Sequence, residues 1–155
     1  MKKNGHVVDE SLDIMKWALE GSELLLSTTS AMHALIQEND ESFKGWLDKY
    51  KYADRHPEFS EAYYREQGEQ FIEKLEEHLS NSTMLFSNEY SFADIAILPF
   101  IRQFAFVDMN WFNQSSYHNV RNWLTAFIDS ELFESIMKKY PTWLESNQEI
   151  TFPEK

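Results

Sequence analysis

The chain has 155 residues, 26 of them acidic and 14 basic, giving a formal net charge of -12, and it has no cysteine. That length fits one domain; the acidic balance disfavours DNA, RNA and anionic lipid, which are held by clustered Lys and Arg. The missing cysteines exclude disulfides, thiolate zinc sites and a thiol nucleophile, and 4 Gly and 4 Pro against 43% hydrophobic residues argue for a helical core over a turn-dense β protein.

At the N-terminus, MKKNGHVVDESLD has two lysines with no apolar stretch behind them, and no later segment approaches the roughly 18 apolar residues of a membrane span, so a cytoplasmic protein is expected. A short apolar run, His6 to Val8, feeds a helix with Leu12, Ile14, Met15, Ala18 and Leu19 at helical spacing. Asp9 or Glu10 lies in its first turn, where an acid suits the positive end of the dipole, and Gly21 suits its stop. Two further helical patterns, 27–37 and 41–50, carry Met32, Leu35, Ile36, Phe43, Trp46 and Leu47; the polar residues 38–41 separate them, as one bent helix or two. Residues 49–60, with Asp54, His56 and Pro57, read as a loop. From Ser60 to Leu79 the pattern is a long amphipathic helix, with Tyr64, Gly68, Phe71, Ile72, Leu75 and Leu79 on one side and Glu66, Glu69, Glu73, Glu76 and Glu77 on the other. Gly68 costs about 1 kcal/mol against alanine there; either a neighbouring helix comes close or the cost is tolerated.

Residues 80–90 form a polar connector, followed by YSFADIAILPF, which places Asp94 and Pro99 inside the most apolar stretch of the chain. Ser91 and Asp94 fit a capping box, and Tyr90 with Ile95 stand at the positions of a hydrophobic staple. Beyond the cap the sequence is apolar on every side, as in a central helix enclosed by protein, with a kink expected at Pro99. The last third predicts helices over 117–128 and 130–140, with Ser130 as an N-cap, Pro141 as a stop and an irregular tail.

An all-helical chain whose core helix opens as SFADIAILPFIRQ resembles the C-terminal domain of the cytosolic glutathione S-transferases, in which a Ser-x-x-Asp cap opens the core helix. LEEHLSNSTMLFSNEYS and YHNVRNWLTAFIDSELFESIM are similar to the segments on either side, so the likeness covers most of residues 24 to 145. Ser87 stands where that family commonly has a glycine. VVDESLDIMKWAL resembles the end of the family's other half, the thioredoxin-like domain. The resemblance implies an all-α bundle over 23–155, preceded at 1–22 by the last strand and helix of that half.

By the same resemblance Glu10 and Ser11 take the place of the pair that holds the γ-glutamyl end of glutathione; the plainer alternative is that they cap a helix. The family's thiol-activating residue and cis-proline loop have no counterpart in these 155 residues, so no catalytic residue is assigned. Glutathione would enter as a substrate, no cofactor is implied, and a homodimer or another protein partner would cover the face of the missing half. The function implied is a truncated, glutathione S-transferase-like protein that is not catalytic alone. Its alternatives are a non-catalytic interaction module and one half of a split transferase active with a separate N-terminal partner.

Other candidates carry less. Histidines 6, 33, 56, 78 and 118 show no pairing at metal-ligand spacing, and Glu66 with Glu69 and Glu76 with Glu77 read as solvated surface. Tyr63, Tyr64, Arg65, Arg102 and Trp111 form a set that either lines a pocket for an apolar electrophile or packs in the core. Arg102 is expected to satisfy Asp94, Asp108 or the carbonyls freed by Pro99.

Overall fold

Hydroxyl and carboxylate caps set many of the helix starts. Ser22 opens α2 (Glu23–Leu26), Thr29 opens α3 (Ser30–Glu38), Ser60 opens α5 (Glu61–His78), Asp108 opens α7 (Met109–Gln114) and Ser130 opens α9 (Glu131–Ile136). Each accepts a backbone N–H from the first turn, worth about 1 kcal/mol. The computed structural model describes residues 2–3, 6–137 and 139–147. Among them stand also α1 (Ser11–Ala18), α4 (Lys44–Lys51), α6 (Phe92–Ala105), α8 (His118–Ile128) and α10 (Trp143–Ser146). A two-rung antiparallel hairpin, β1 (Lys2–Lys3) and β2 (His6–Val7), precedes α1 in the register Lys2 to Val7 and Lys3 to His6. Among the described residues the fold is all-α apart from this hairpin. Gly21, at φ +81, takes the left-handed conformation that turns the chain from α1 into α2.

α6 is the centre. It packs against α3, α4 and α8, while α5 bridges α4 and α8. Phe92, Ala93, Ile97, Leu98, Ile101, Phe104 and Ala105 are all buried, and each of the larger aliphatic side chains contributes about 1.5–3 kcal/mol. The expectation of a helix enclosed on every side is corrected, because Ile95, Ala96 and Phe100 are half-buried and Pro99 is exposed. The residue that cannot donate a helical hydrogen bond thus sits on the side with least protein above it.

Of the two arrangements open for residues 38–41, the chain takes the continuous one: a π turn, Asn39–Phe43, carries α3 into α4. Asn39 points inward and is fully buried, its amide nitrogen donating to Asp40 at 3.0 Å while its Oδ1 has no partner. α9 ends at Ile136, short of Tyr140, because none of its residues is buried enough to hold another turn. The tail begins with the short α10, started by the Glu145 carboxylate accepting from the Thr142 N–H (3.0 Å) and hydroxyl (2.9 Å); residues 148–155 lie outside the described ones. Within 49–60, the expected loop includes the end of α4 and a 3-10 turn at Ala53–Arg55.

Ring packing fills the space between α4, α5 and α6. Phe104 lies 5.1 Å from Tyr50, 5.6 Å from Phe43 and 6.1 Å from Trp111, centroid to centroid, and Phe43 lies 4.9 Å from Phe71. A Cβ on Gly68 would come within 2.7 Å of the Phe104 ring, so close approach of α6 to α5 accounts for the glycine.

Candidate functional site

α1 begins at the pair the sequence singled out. Glu10 is extended (φ -78, ψ 136), and its carbonyl accepts the Ile14 N–H at 3.0 Å, yet its side chain makes no capping bond. Ser11 is the first helical residue, and both side chains are exposed. The helix lies across the outward face of α6, leaving a groove of about 140 Å³ between Ser11, Leu12 and Met15 on one side and Ile36, Asp40 and Pro99 on the other. A helix start leaves N–H groups without intrahelical acceptors, and these suit a carboxylate. The groove's lining offers Ser11 and Asp40 as its polar side chains and no basic group.

Ser91 and Asp94 form a different kind of constellation, fully inside. Asp94 is 0% exposed. One carboxylate oxygen accepts from the Leu85 N–H at 3.0 Å and the Trp123 indole N–H at 2.9 Å; the other accepts from the Ser91 N–H at 2.8 Å and the Ser91 hydroxyl. Ser91 Oγ in turn accepts the Asp94 N–H at 3.4 Å. With every lone-pair direction used, this carboxylate ties the connector, α6 and α8 together and has nothing left for a substrate. Sequence reasoning found the cap but not Leu85 or Trp123, since an indole donor 29 residues away leaves no local signal. Ser87 has no positive φ, so its turn does not require a glycine.

Arg102 does not satisfy Asp94, Asp108 or a freed carbonyl. Its guanidinium stacks on Phe106 at 4.8 Å and Phe133 at 5.3 Å, and its buried Nε has no acceptor. Asp94 is already saturated, and Asp108 caps α7 through the Trp111 N–H at 2.9 Å. The other members of the electrophile set are not gathered with it. Arg65 covers the Trp111 ring at 4.4 Å and pairs with Glu69 at 3.1 Å, while Tyr63 stacks on Phe59 at 4.4 Å.

Two of the glutamates read as solvated surface are structural. Glu76 accepts the Asn119 and Val120 N–H groups, both at 2.9 Å, and so caps α8 from another helix; Glu69 accepts from the Tyr117 hydroxyl at 2.8 Å. Both are half-buried, whereas Glu66 and Glu77 are exposed. Among the described residues no group of three His, Asp or Glu is placed to hold a metal ion, and no helix is long and apolar enough to cross a membrane.

Two phenols are shifted. Burial, followed by hydrogen bonding to Glu69, pushes Tyr117 well above the usual range. Burial pushes Tyr50 up to about 12, with the nearby Arg65 opposing, and among the described residues no partner stands within hydrogen-bond distance of its hydroxyl. The folded chain therefore holds Tyr50 neutral after the unfolded chain, at about 10, has ionised, so stability is intact below pH 10 and declines up to about 12. Tyr50→Phe should be near neutral at pH 7, because it removes an unpaired buried hydroxyl, and it should flatten this decline in urea titrations across that window.

Together these features define an all-α domain pinned at its centre by a buried carboxylate, with one face of its core helix covered by an N-terminal helix. The chain belongs to the family described as glutathione S-transferase, C-terminal domain, which matches residues 35–126, more than half of its length. Comparison with curated proteins returned no match, and neither did comparison with solved structures.

Proposed function

We propose that this chain is a cytoplasmic, glutathione S-transferase-like protein that is not catalytic by itself, in which residues 1–22 are the last strand and helix of a thioredoxin-like half and residues 23–155 the helical domain. Glu10 and Ser11 contribute the γ-glutamyl contact of a glutathione site, and a thioredoxin-like half carried elsewhere supplies the group that activates the thiol. The observation that carries the reading is the start of α1, where Glu10 and Ser11 stand exposed beside the α6 groove and the Glu10 side chain makes no capping bond. The groove's lining has no tyrosine and no cation to stabilise a thiolate, which supports inactivity of the chain alone.

Calorimetric titration of this chain with glutathione should give no measurable binding, and binding should appear when a thioredoxin-like half is supplied. Micromolar affinity for the isolated chain would contradict the proposal. A second reading, a non-catalytic interaction module or homodimer, is favoured by the exposed Val7, Trp17 and Leu26 on the N-terminal elements. Light scattering that shows a strict monomer at high concentration would count against it.

A further inference from the structure

We propose that the groove between the end of α8 and α9 docks a basic amphipathic helix of another protein, with Lys or Arg of that helix on Asp129 and Glu134 and its apolar side on Phe133 and Met137. This groove shares no lining residue with the one at α1, so the assignment does not rest on the reading of Glu10 and Ser11. It measures about 640 Å³; its apolar walls are Ile128, Phe133 and Met137, and its charges are Asp129 and Glu134, with two serines among them. α9 rests on α8, yet none of its own residues is buried. Of the twelve large hydrophobic side chains that stand exposed among the described residues, six fall between Leu132 and Leu144. Leu132 and Ile136 are two of them, and four residues apart on a helix they share a face. Apolar exposure gathered in this way, beside charged groups, marks a surface that meets a partner.

Charge selects the occupant. The lining holds two carboxylates and no base. Among the described residues no cation pairs with either carboxylate: Arg102 stacks on the Phe133 ring, Lys139 follows α9 in sequence, and the ion pairs of the fold lie elsewhere. Glu134 suits the first turn of α9, where an acid offsets the helix dipole. Asp129 lies outside that turn and at the C-cap of α8, the negative end of a helix, where a carboxylate is disfavoured. An unpaired acid placed there, beside an apolar hollow, is complementary to an incoming cation. A second copy of this chain would bring a net charge of -12 and the same two acids, and residues 148–155 carry two acids and one base, so neither complements the groove. Nucleic acid and anionic lipid are repelled for the same reason. A helix is the form of partner that sets apolar anchors at positions i and i+4 in a groove while its cations flank them.

The full chain should be titrated, by fluorescence anisotropy, with a labelled peptide of leucine and lysine in which leucine recurs at helical spacing. A peptide of the same composition in scrambled order and an analogue with glutamate in place of lysine serve as comparisons. The first should bind with micromolar affinity, about tenfold or more tightly than either comparison. Asp129→Asn combined with Glu134→Gln should weaken it about tenfold, and so should Met137→Ser, an exposed position whose change does not disturb the core. Glu66→Gln combined with Glu77→Gln removes two exposed acids of α5 and should leave binding unchanged, which separates the groove from the diffuse attraction of an acidic chain. No binding, equal binding of the scrambled peptide, or equal loss in the two pairs of acid variants would overturn the assignment. So would a dimer in light scattering that Met137→Ser dissolves, or equally tight binding of a peptide of residues 148–155, since the occupant would then be a second copy or the chain's own tail.

Discussion

Asp94→Ala is expected to destabilise the protein by about 3–5 kcal/mol, a large share of the roughly 5–15 kcal/mol that holds a domain of this size together. The substitution leaves the Leu85 N–H, the Ser91 N–H and the Trp123 indole N–H buried without an acceptor, and each such orphan costs about 1–3 kcal/mol. Asp94→Asn should cost about 2 kcal/mol, because its oxygen can still serve Leu85 and Trp123 while its amide nitrogen opposes the Ser91 N–H. Urea unfolding followed by circular dichroism will read both as a lowered midpoint with an unchanged slope. A loss below about 1 kcal/mol for the alanine variant would mean that the carboxylate is not the hub described.

Phe104→Ala should cost about 3–5 kcal/mol through the cavity it opens among Phe43, Tyr50 and Trp111. The more decisive measurement is its coupling to Gly68. On its own, Gly68→Ala gains about 1 kcal/mol of helix propensity but drives a methyl to 2.7 Å from a hemmed-in ring, at an overpacking cost of about 1–3 kcal/mol, so it should destabilise. In the Phe104→Ala background the obstruction is gone, and the same substitution should stabilise by about 1 kcal/mol. A double-mutant cycle without this change of sign would show that α5 and α6 do not meet as described.

The helical fold was legible because its signals are local. Alternation of buried Tyr64, Phe71, Ile72 and Leu75 with outward glutamates defines α5 from spacing alone, and hydroxyl caps mark several starts. What was not legible depends on residues distant in sequence. Glu76 looks like any surface acid until α8 brings its first turn to it, and Trp123 looks like an apolar core residue until its N–H meets Asp94. The π turn was hidden because three of the residues at 38–41 are charged, and nothing in their order says that the fourth, Asn39, faces inward. The candidate site divides the same way. Glu10 and Ser11 stand out in the sequence, whereas the groove beside them exists only where α1 is laid across α6.

The first helix has no residue below the surface layer, and it meets the rest through Leu12, Met15 and Leu19 laid on the outer side of α6. A segment attached so lightly opens at a small fraction of the free energy needed to melt the centre, so its amides will exchange with solvent long before those of α6. Anything that binds Glu10 and Ser11 must therefore also supply the ordering of the helix that presents them, and its apparent affinity is lowered by the share of molecules in which that helix is undocked.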